Sequence, residues 1–168
     1  MKQKTEQAAL AELCALCAAG EHCAQEMTDR MTRWGLDEKA QARLMAYLTE
    51  HGYVDEERYT RAFVNDKLKY NRWGRRKIEQ ALWQKRIPKE TQKAVLDEVP
   101  DDEYLSVLRP LLASKRRSLK VVDSRLLRQK LMAFAAGRGF SYDQIRLCLD
   151  DDDLSPDLAD GFPDDEDF

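Results

Sequence analysis

The chain has 168 residues, 43% of them hydrophobic and 35% charged, with only 7 Gly and 5 Pro. That apolar share can fill a buried core, and many charges with few turn residues favour helices over sheets. The net charge of −3 averages two unlike parts. Ten acidic and no basic residues stand between Asp150 and Phe168, which leaves residues 1–149 with 28 Lys and Arg against 21 Asp and Glu, a charge of +7.

The apolar spacing is helical throughout. A first helix carries Leu10, Leu13, Cys14 and Cys17 on one stripe, a second Met27, Met31 and Trp34, and a third Leu44, Tyr47 and Leu48 before Gly52. The Ala/Leu/Cys-rich run from Ala8 to Gly20 imitates a signal peptide. Glu6 and Glu12 interrupt it, and it is too short and amphipathic to span a bilayer, so a cytoplasmic location is expected. Cys14, Cys17 and His22 have the opening spacing of a zinc knuckle, but Met27 stands where the fourth ligand belongs. Small core residues are the competing reading of these thiols, and no metal or cofactor is expected.

Asp55, Glu56 and Glu57 mark the start of a fourth helix with Tyr59, Ala62, Phe63 and Tyr70 on one face. Gly74 breaks the pattern before a fifth helix with Ile78, Ala81 and Leu82, and Pro88 opens a sixth with Ala94, Val95 and Val99. The seventh carries Tyr104, Leu105, Leu108, Leu111 and Leu112, with a kink expected at Pro110. Asp123 or Ser124 caps an eighth with Leu127, Leu131 and Phe134 inward; Gly137 and Gly139 end it, and Ser141 caps a ninth through Ile145 and Leu149. Beyond Asp150 no apolar periodicity remains, and the acidic tail 150–168 is predicted to be disordered.

Aligning Trp34-Gly35-Leu36-Asp37, Lys85-Arg86-Ile87-Pro88 and Arg138-Gly139-Phe140-Ser141 gives shifts of 51 and 53 residues. Met27, Ile78 and Leu131 then coincide, as do Met31, Leu82 and Ala135. The pattern predicts an all-α protein of three tandem three-helix repeats, 1–52, 53–100 and 101–149, in an elongated, curved array. No exposed heptad seam argues for a dimer, and a monomer is expected.

Positive charge follows the repeats. Lys67 to Lys93 and Arg109 to Arg146 each carry a local +8. Basic blocks at equivalent positions point to a polyanion, because Lys and Arg release counterions from phosphates; solvated helix faces are the competing reading. The candidate contacts are Arg58, Arg61, Lys67, Arg72, Arg75, Arg76, Lys77 and Lys85 in the middle repeat. In the third they are Arg116, Arg117 and Lys120, expected in a loop, with Arg125, Arg128 and Lys130. Tyr70 and Trp73 bracket basic residues and either stack on unpaired bases or close a helix junction. The first repeat has Ala24 and Glu26 where the second has Arg75 and Lys77, so its polyanion contact should be weaker. The tail either competes with DNA for the basic faces or simply solubilises the chain. A Gly-rich phosphate loop, a histidine pair and a serine elbow are all missing from the sequence, and Asp55, Glu56 and Glu57 diverge around a helix start, so catalysis is not expected.

The middle repeat resembles a known pattern. Tyr53-x-Asp55-Glu56-Glu57-Arg58-Tyr59, then Ala62-Phe63-Val64, then Gly74 with Ile78, Leu82 and Ile87, is similar to the signature of the RecX family, bacterial regulators of the RecA recombinase. Tyr59, Phe63, Ile78, Leu82 and Ile87 are spaced as core residues. The resemblance implies a protein that binds the RecA filament along its groove and limits filament growth, ATPase and strand exchange, with weak direct binding to single- or double-stranded DNA. It also implies Gly where Arg86 stands, so Arg86 must either avoid a left-handed backbone or be strained. A stand-alone DNA-binding array without a recombinase partner, and an adaptor for another acidic protein, are the alternatives.

Overall fold

The computed structural model describes residues 3–150. The acidic tail, apart from Asp150, lies outside the described residues. Nine helices and no strands are present among them. They are α1 (Glu6–Ala19), α2 (Ala24–Arg33), α3 (Glu38–Glu50), α4 (Glu56–Lys69), α5 (Arg75–Gln84), α6 (Lys89–Leu96), α7 (Asp101–Ser118), α8 (Ser124–Gly137) and α9 (Tyr142–Asp150). They form three three-helix modules in chain order.

Side-chain caps start α1, α3 and α4. Thr5 accepts from Ala8 N at 3.2 Å, Asp37 from Ala40 N at 2.8 Å and Asp55 from Arg58 N at 3.0 Å. Ser141 and Gln144 exchange reciprocal bonds, Gln144 N to Ser141 Oγ at 3.2 Å and Ser141 N to Gln144 Oε1 at 3.1 Å, a capping box that opens α9. Asp123 caps α8 through Arg125 N at 2.9 Å. α7 runs as one helix through Pro110. Its last turn holds Lys115, Arg116 and Arg117, so the latter two lie in a helix where a loop was expected, and only Lys120 stands in the 119–123 connection. Cations in a last turn complement the helix dipole, which favours this extension.

The aligned tetrapeptides all close the second helix of their module in the same way. Leu36 N donates to Met31 O at 3.1 Å, Ile87 N to Leu82 O at 3.2 Å and Phe140 N to Ala135 O at 3.2 Å. The residue before each sits at positive φ, 77° for Gly35, 56° for Arg86 and 96° for Gly139. This is the helix-ending geometry in which a left-handed residue lets the chain return an amide to an orphan carbonyl. Arg86 therefore adopts the left-handed backbone, at a cost of about 1 kcal/mol relative to Gly.

The chain divides into two compact units, one of residues up to Phe63 with Leu82–Val95, the other of Val64–Ala81 with residues from Leu96 on. The dividing lines cut α4 and α5 and fall before the last residue of α6, so the middle module contributes to both. In the first unit Ala9, Leu13, Met27, Met31, Leu36, Ala40, Leu44, Leu48 and Val54 form one buried cluster, with α3 packed on α1 and α2. In the second, α7 packs on α8 and α9, and Leu108, Leu112, Leu131, Ala135 and Ile145 are buried. Burial of each leucine side chain is worth roughly 1.5–3 kcal/mol. Among the described residues no helix is long and apolar enough to cross a membrane.

Candidate functional site

In the first unit the signature residues build the fold. Tyr59 is buried, its ring centroid 5.8 Å from that of half-buried Phe63, and its hydroxyl donates to Glu26 Oε1 at 2.9 Å. Glu26 also meets His22 Nδ1 at 2.7 Å, the Cys23 thiol at 3.6 Å and Lys85 Nζ at 3.7 Å. Burial alone would raise the Glu26 carboxyl, but bonds from His22 and Tyr59 and the charge of Lys85 outweigh it and hold the group below the ordinary carboxylate range. Burial pushes Tyr59 well up, with the Glu26 bond adding to it. Glu56 accepts from Ala24 N at 2.7 Å and so caps α2, whose own cap residue Cys23 makes no side-chain cap bond. Burial raises the Cys17 and Cys23 thiols, and Cys17 Sγ lies 3.8 Å from Met27 Sδ, so both behave as core residues.

The candidate cations of this unit are occupied within it. Arg58 donates to Glu21 at 2.5 Å and to the carbonyls of Gly52 and Tyr53 at 3.0 and 3.3 Å, fastening the α3–α4 connection. Arg61 pairs with Glu57 at 2.6 Å, one turn away. Tyr53 is half-buried, and Asp55 caps α4.

In the second unit α5 begins against the α8–α9 turn. Gly74 N donates to Arg138 O at 2.8 Å and Arg76 N to Gly139 O at 3.1 Å. Arg138, 3% exposed, returns a bond from Nη1 to Asn71 O at 2.8 Å. The amides that start α5 are thus taken by backbone carbonyls. Trp73 is half-buried, with Lys67 Nζ 4.9 Å and Lys77 Nζ 4.7 Å from its ring centroid. Burial, with help from Arg138, lowers the Lys77 ammonium. Arg72 is half-buried at φ 56°. Arg75 is gripped by Glu79 at 2.7 Å and Asp97 at 2.8 Å. Ile78 is fully buried, as is Leu82 in the first unit, and Ile87 nearly so.

Of the candidate contacts, Arg116, Arg117, Lys120, Arg125 and Lys130 of the third module reach solvent, as does Arg76 of α5. Arg128 is also exposed but pairs with Asp150 at 2.7 Å. The second unit also holds a cavity of about 850 Å³, walled by α5, α7 and the α8–α9 corner. Tyr104 lines it while only 2% exposed, and its hydroxyl has no hydrogen-bond partner among the described residues. Burial pushes that phenol up to about 12, so it remains a neutral hydroxyl.

Two family models match the chain, the second three-helix domain of RecX over residues 55–96 and the third over 101–149. Together they cover more than half of it. The chain belongs to the RecX family. A Vibrio parahaemolyticus regulatory protein RecX is 29% identical over 139 residues, covering 82% of this chain and 87% of the relative. A Clostridium perfringens regulatory protein RecX is 28% identical over 123 residues, covering 71% of this chain and 56% of the relative, so the match spans little more than half of the clostridial protein. Crystal structures of a regulatory protein RecX and of RecX from Lactobacillus salivarius superpose with TM-scores of 0.80 and 0.79 at 16% and 17% identity, covering 86% and 89% of this chain and 73% and 97% of theirs. At that identity they establish the fold.

Within this RecX chain the sequence left several residues unassigned. Glu26, read as a lost cation, is the hub of a polar cluster. Arg138 served only to align the repeats, yet it locks the start of α5. Trp83, 76% exposed, carried no signal of its own, because a lone aromatic on a helix reads the same inward or outward, and Tyr104 was read only as part of the apolar stripe of its helix. Tyr104 is the fourth residue of α7 as Tyr59 is of α4, a repeat correspondence that could have singled it out.

Proposed function

We propose that this protein binds filaments of the RecA recombinase on DNA and restrains their growth, ATP hydrolysis and strand exchange, as a non-enzymatic, monomeric regulator of DNA repair and recombination in the cytoplasm. The observation that carries the reading is the match of helices α4–α9 to RecX three-helix domains. The exposed cations of the third module add to it: on a nucleoprotein filament they can lie near DNA phosphates while the rest of the array engages protein. By this reading Arg58, Arg61 and Arg75, each held by an intramolecular carboxylate, are scaffold. Arg76, Arg116, Lys120, Arg125 and Lys130 are the contact set.

The test is DNA-dependent ATP hydrolysis by preassembled RecA filaments, with this protein added well below one per RecA protomer beside a charge-matched basic control. Strong inhibition is expected at that ratio, because a filament regulator acts at few sites whereas competition for DNA needs near-saturating amounts. No effect up to equimolar protein would overturn the proposal and leave a stand-alone DNA-binding array.

A further inference from the structure

Apart from Arg76, the cavity of the second unit combines features that the filament reading does not use. Its volume, about 850 Å³, lies in the range of small-molecule sites. Its wall carries two guanidinium groups, Arg75 and Arg76, and two carboxylates, Glu79 and Asp101. Arg75 is already bound by Glu79, and Asp101 accepts from Gln144 Nε2 at 3.1 Å, so the wall is close to neutral. A carboxylate or bare phosphate therefore finds little net attraction inside. Apolar surface comes from Met132 and Phe140, and the Tyr142 ring stands at the rim, 61% exposed. The Tyr104 hydroxyl is the most telling element. A buried hydroxyl without a partner is costly and rare, and in the first unit the corresponding Tyr59 hydroxyl has Glu26. Lys77 occupies the Glu26 position in the second module, and its ammonium turns to Trp73 instead.

A nearly neutral pocket with aromatic and thioether surface, hydrogen-bonding groups of both kinds and one orphan hydroxyl fits a flat, uncharged heterocycle. The exposed cations Arg76, Arg125 and Lys130 belong to the same unit and suit a phosphate backbone. We propose that this cavity receives one unpaired base of single-stranded DNA, with Tyr104 bonding its edge, Tyr142 and Met132 covering its face and Arg76 meeting the adjoining phosphate. This deepens the DNA side of the function proposed above and rests on it only for the presence of a single strand.

The test measures binding of the full chain, at one low salt concentration, to two fluorescent single strands of equal length and phosphate count, one with bases and one abasic. The base-bearing strand should bind about tenfold more tightly, the scale of one base stacked on an aromatic surface. Ala136→Trp, which fills the cavity from the exposed side of α8, and Tyr104→Phe should each bring that strand toward the abasic affinity while leaving the abasic strand unchanged. Tyr104→Phe deletes only a hydroxyl without a partner, so its thermal midpoint should hold or rise, and a lost preference then reports the site rather than the fold. Equal affinity of the native chain for the two strands would overturn the inference, as would a preference that both variants retain. So would an acidic, Phe-containing peptide that binds in an Ala136-dependent way without any preference for bases. Failure here with filament inhibition intact removes the base pocket alone; loss of both removes the filament reading as well.

Discussion

Gly74 and Gly139 meet backbone to backbone: a Cβ built on Gly74 would lie 2.4 Å from the carbonyl carbon of Gly139, and one on Gly139 would lie 2.5 Å from Lys77 N. This approach lets the carbonyls of Arg138 and Gly139 cap α5. In the first unit the equivalent cap position holds Cys23, whose thiol lies 4.0 Å from Lys85 O, and α2 is capped by the Glu56 side chain instead. The two units thus satisfy the same helix start by different means, one through backbone contact and one through a carboxylate.

Substituting Ala for Gly74 should therefore cost about 3 kcal/mol or more, since backbone atoms rather than flexible side-chain ends must give way. Gly137 makes the matched control. Nothing lies within 4 Å of a Cβ there, so Gly137→Ala should be neutral or stabilise α8 by up to about 1 kcal/mol. Urea unfolding of both variants checks this; equal stability would mean that the glycine crossing is not tight in solution.

Arg86 is expected to respond in the opposite direction. Its φ of 56° matches the positive φ of Gly35 and Gly139 at the same turn. Arg86→Gly relieves the left-handed backbone but loosens the unfolded chain, and the first effect should win by roughly a few tenths of a kcal/mol. The denaturation midpoint should rise, and a fall would mean that contacts of the Arg86 side chain outweigh the strain.

Much of this was legible in the sequence because it is local. The caps at Asp55, Asp123 and Ser141 and the three aligned turns each lie within a few residues, and their chemistry repeats. The capping of α5 by Arg138 and Gly139 was not legible, since a backbone contact between distant segments leaves only two glycines as its trace. The pairing of the basic residues was not legible for a related reason. Net charge counts Arg58 and Arg75 as free cations, whereas Glu21, Glu79 and Asp97 neutralise them in three dimensions.

Glu26 sets an acid dependence. Its carboxyl is held below 4.5 in the folded chain, so its stabilisation is complete above the unfolded value near 4.5 and fades as pH falls through the lower folded value. Glu26→Gln should cost about 1–3 kcal/mol at pH 7, because Tyr59, His22 and Lys85 lose their charged partner. The difference between native and variant should shrink as pH drops below 4.5. Glu56, which burial raises, works against this trend, so the comparison must be made on the difference between the two proteins. Thermal unfolding from pH 7 down to 3.5 measures it, and a pH-independent difference would show that the Glu26 charge contributes nothing.

The division of the cations into scaffold and contact groups has its own signature in salt. Arg125 and Lys130 are exposed on α8, so replacing each by Ala should lower the slope of log affinity against log salt for single-stranded DNA by about 0.7. Arg58 is held by Glu21 and two carbonyls, and Arg58→Ala should leave that slope unchanged while loosening the α3–α4 connection. The contrast matters more than either number, because a nonspecific loss of charge would move all three alike. Titrations at four salt concentrations separate the cases. If Arg58→Ala lowers the slope as much as Lys130→Ala does, the Glu21 pair opens on binding and Arg58 belongs with the contact residues after all.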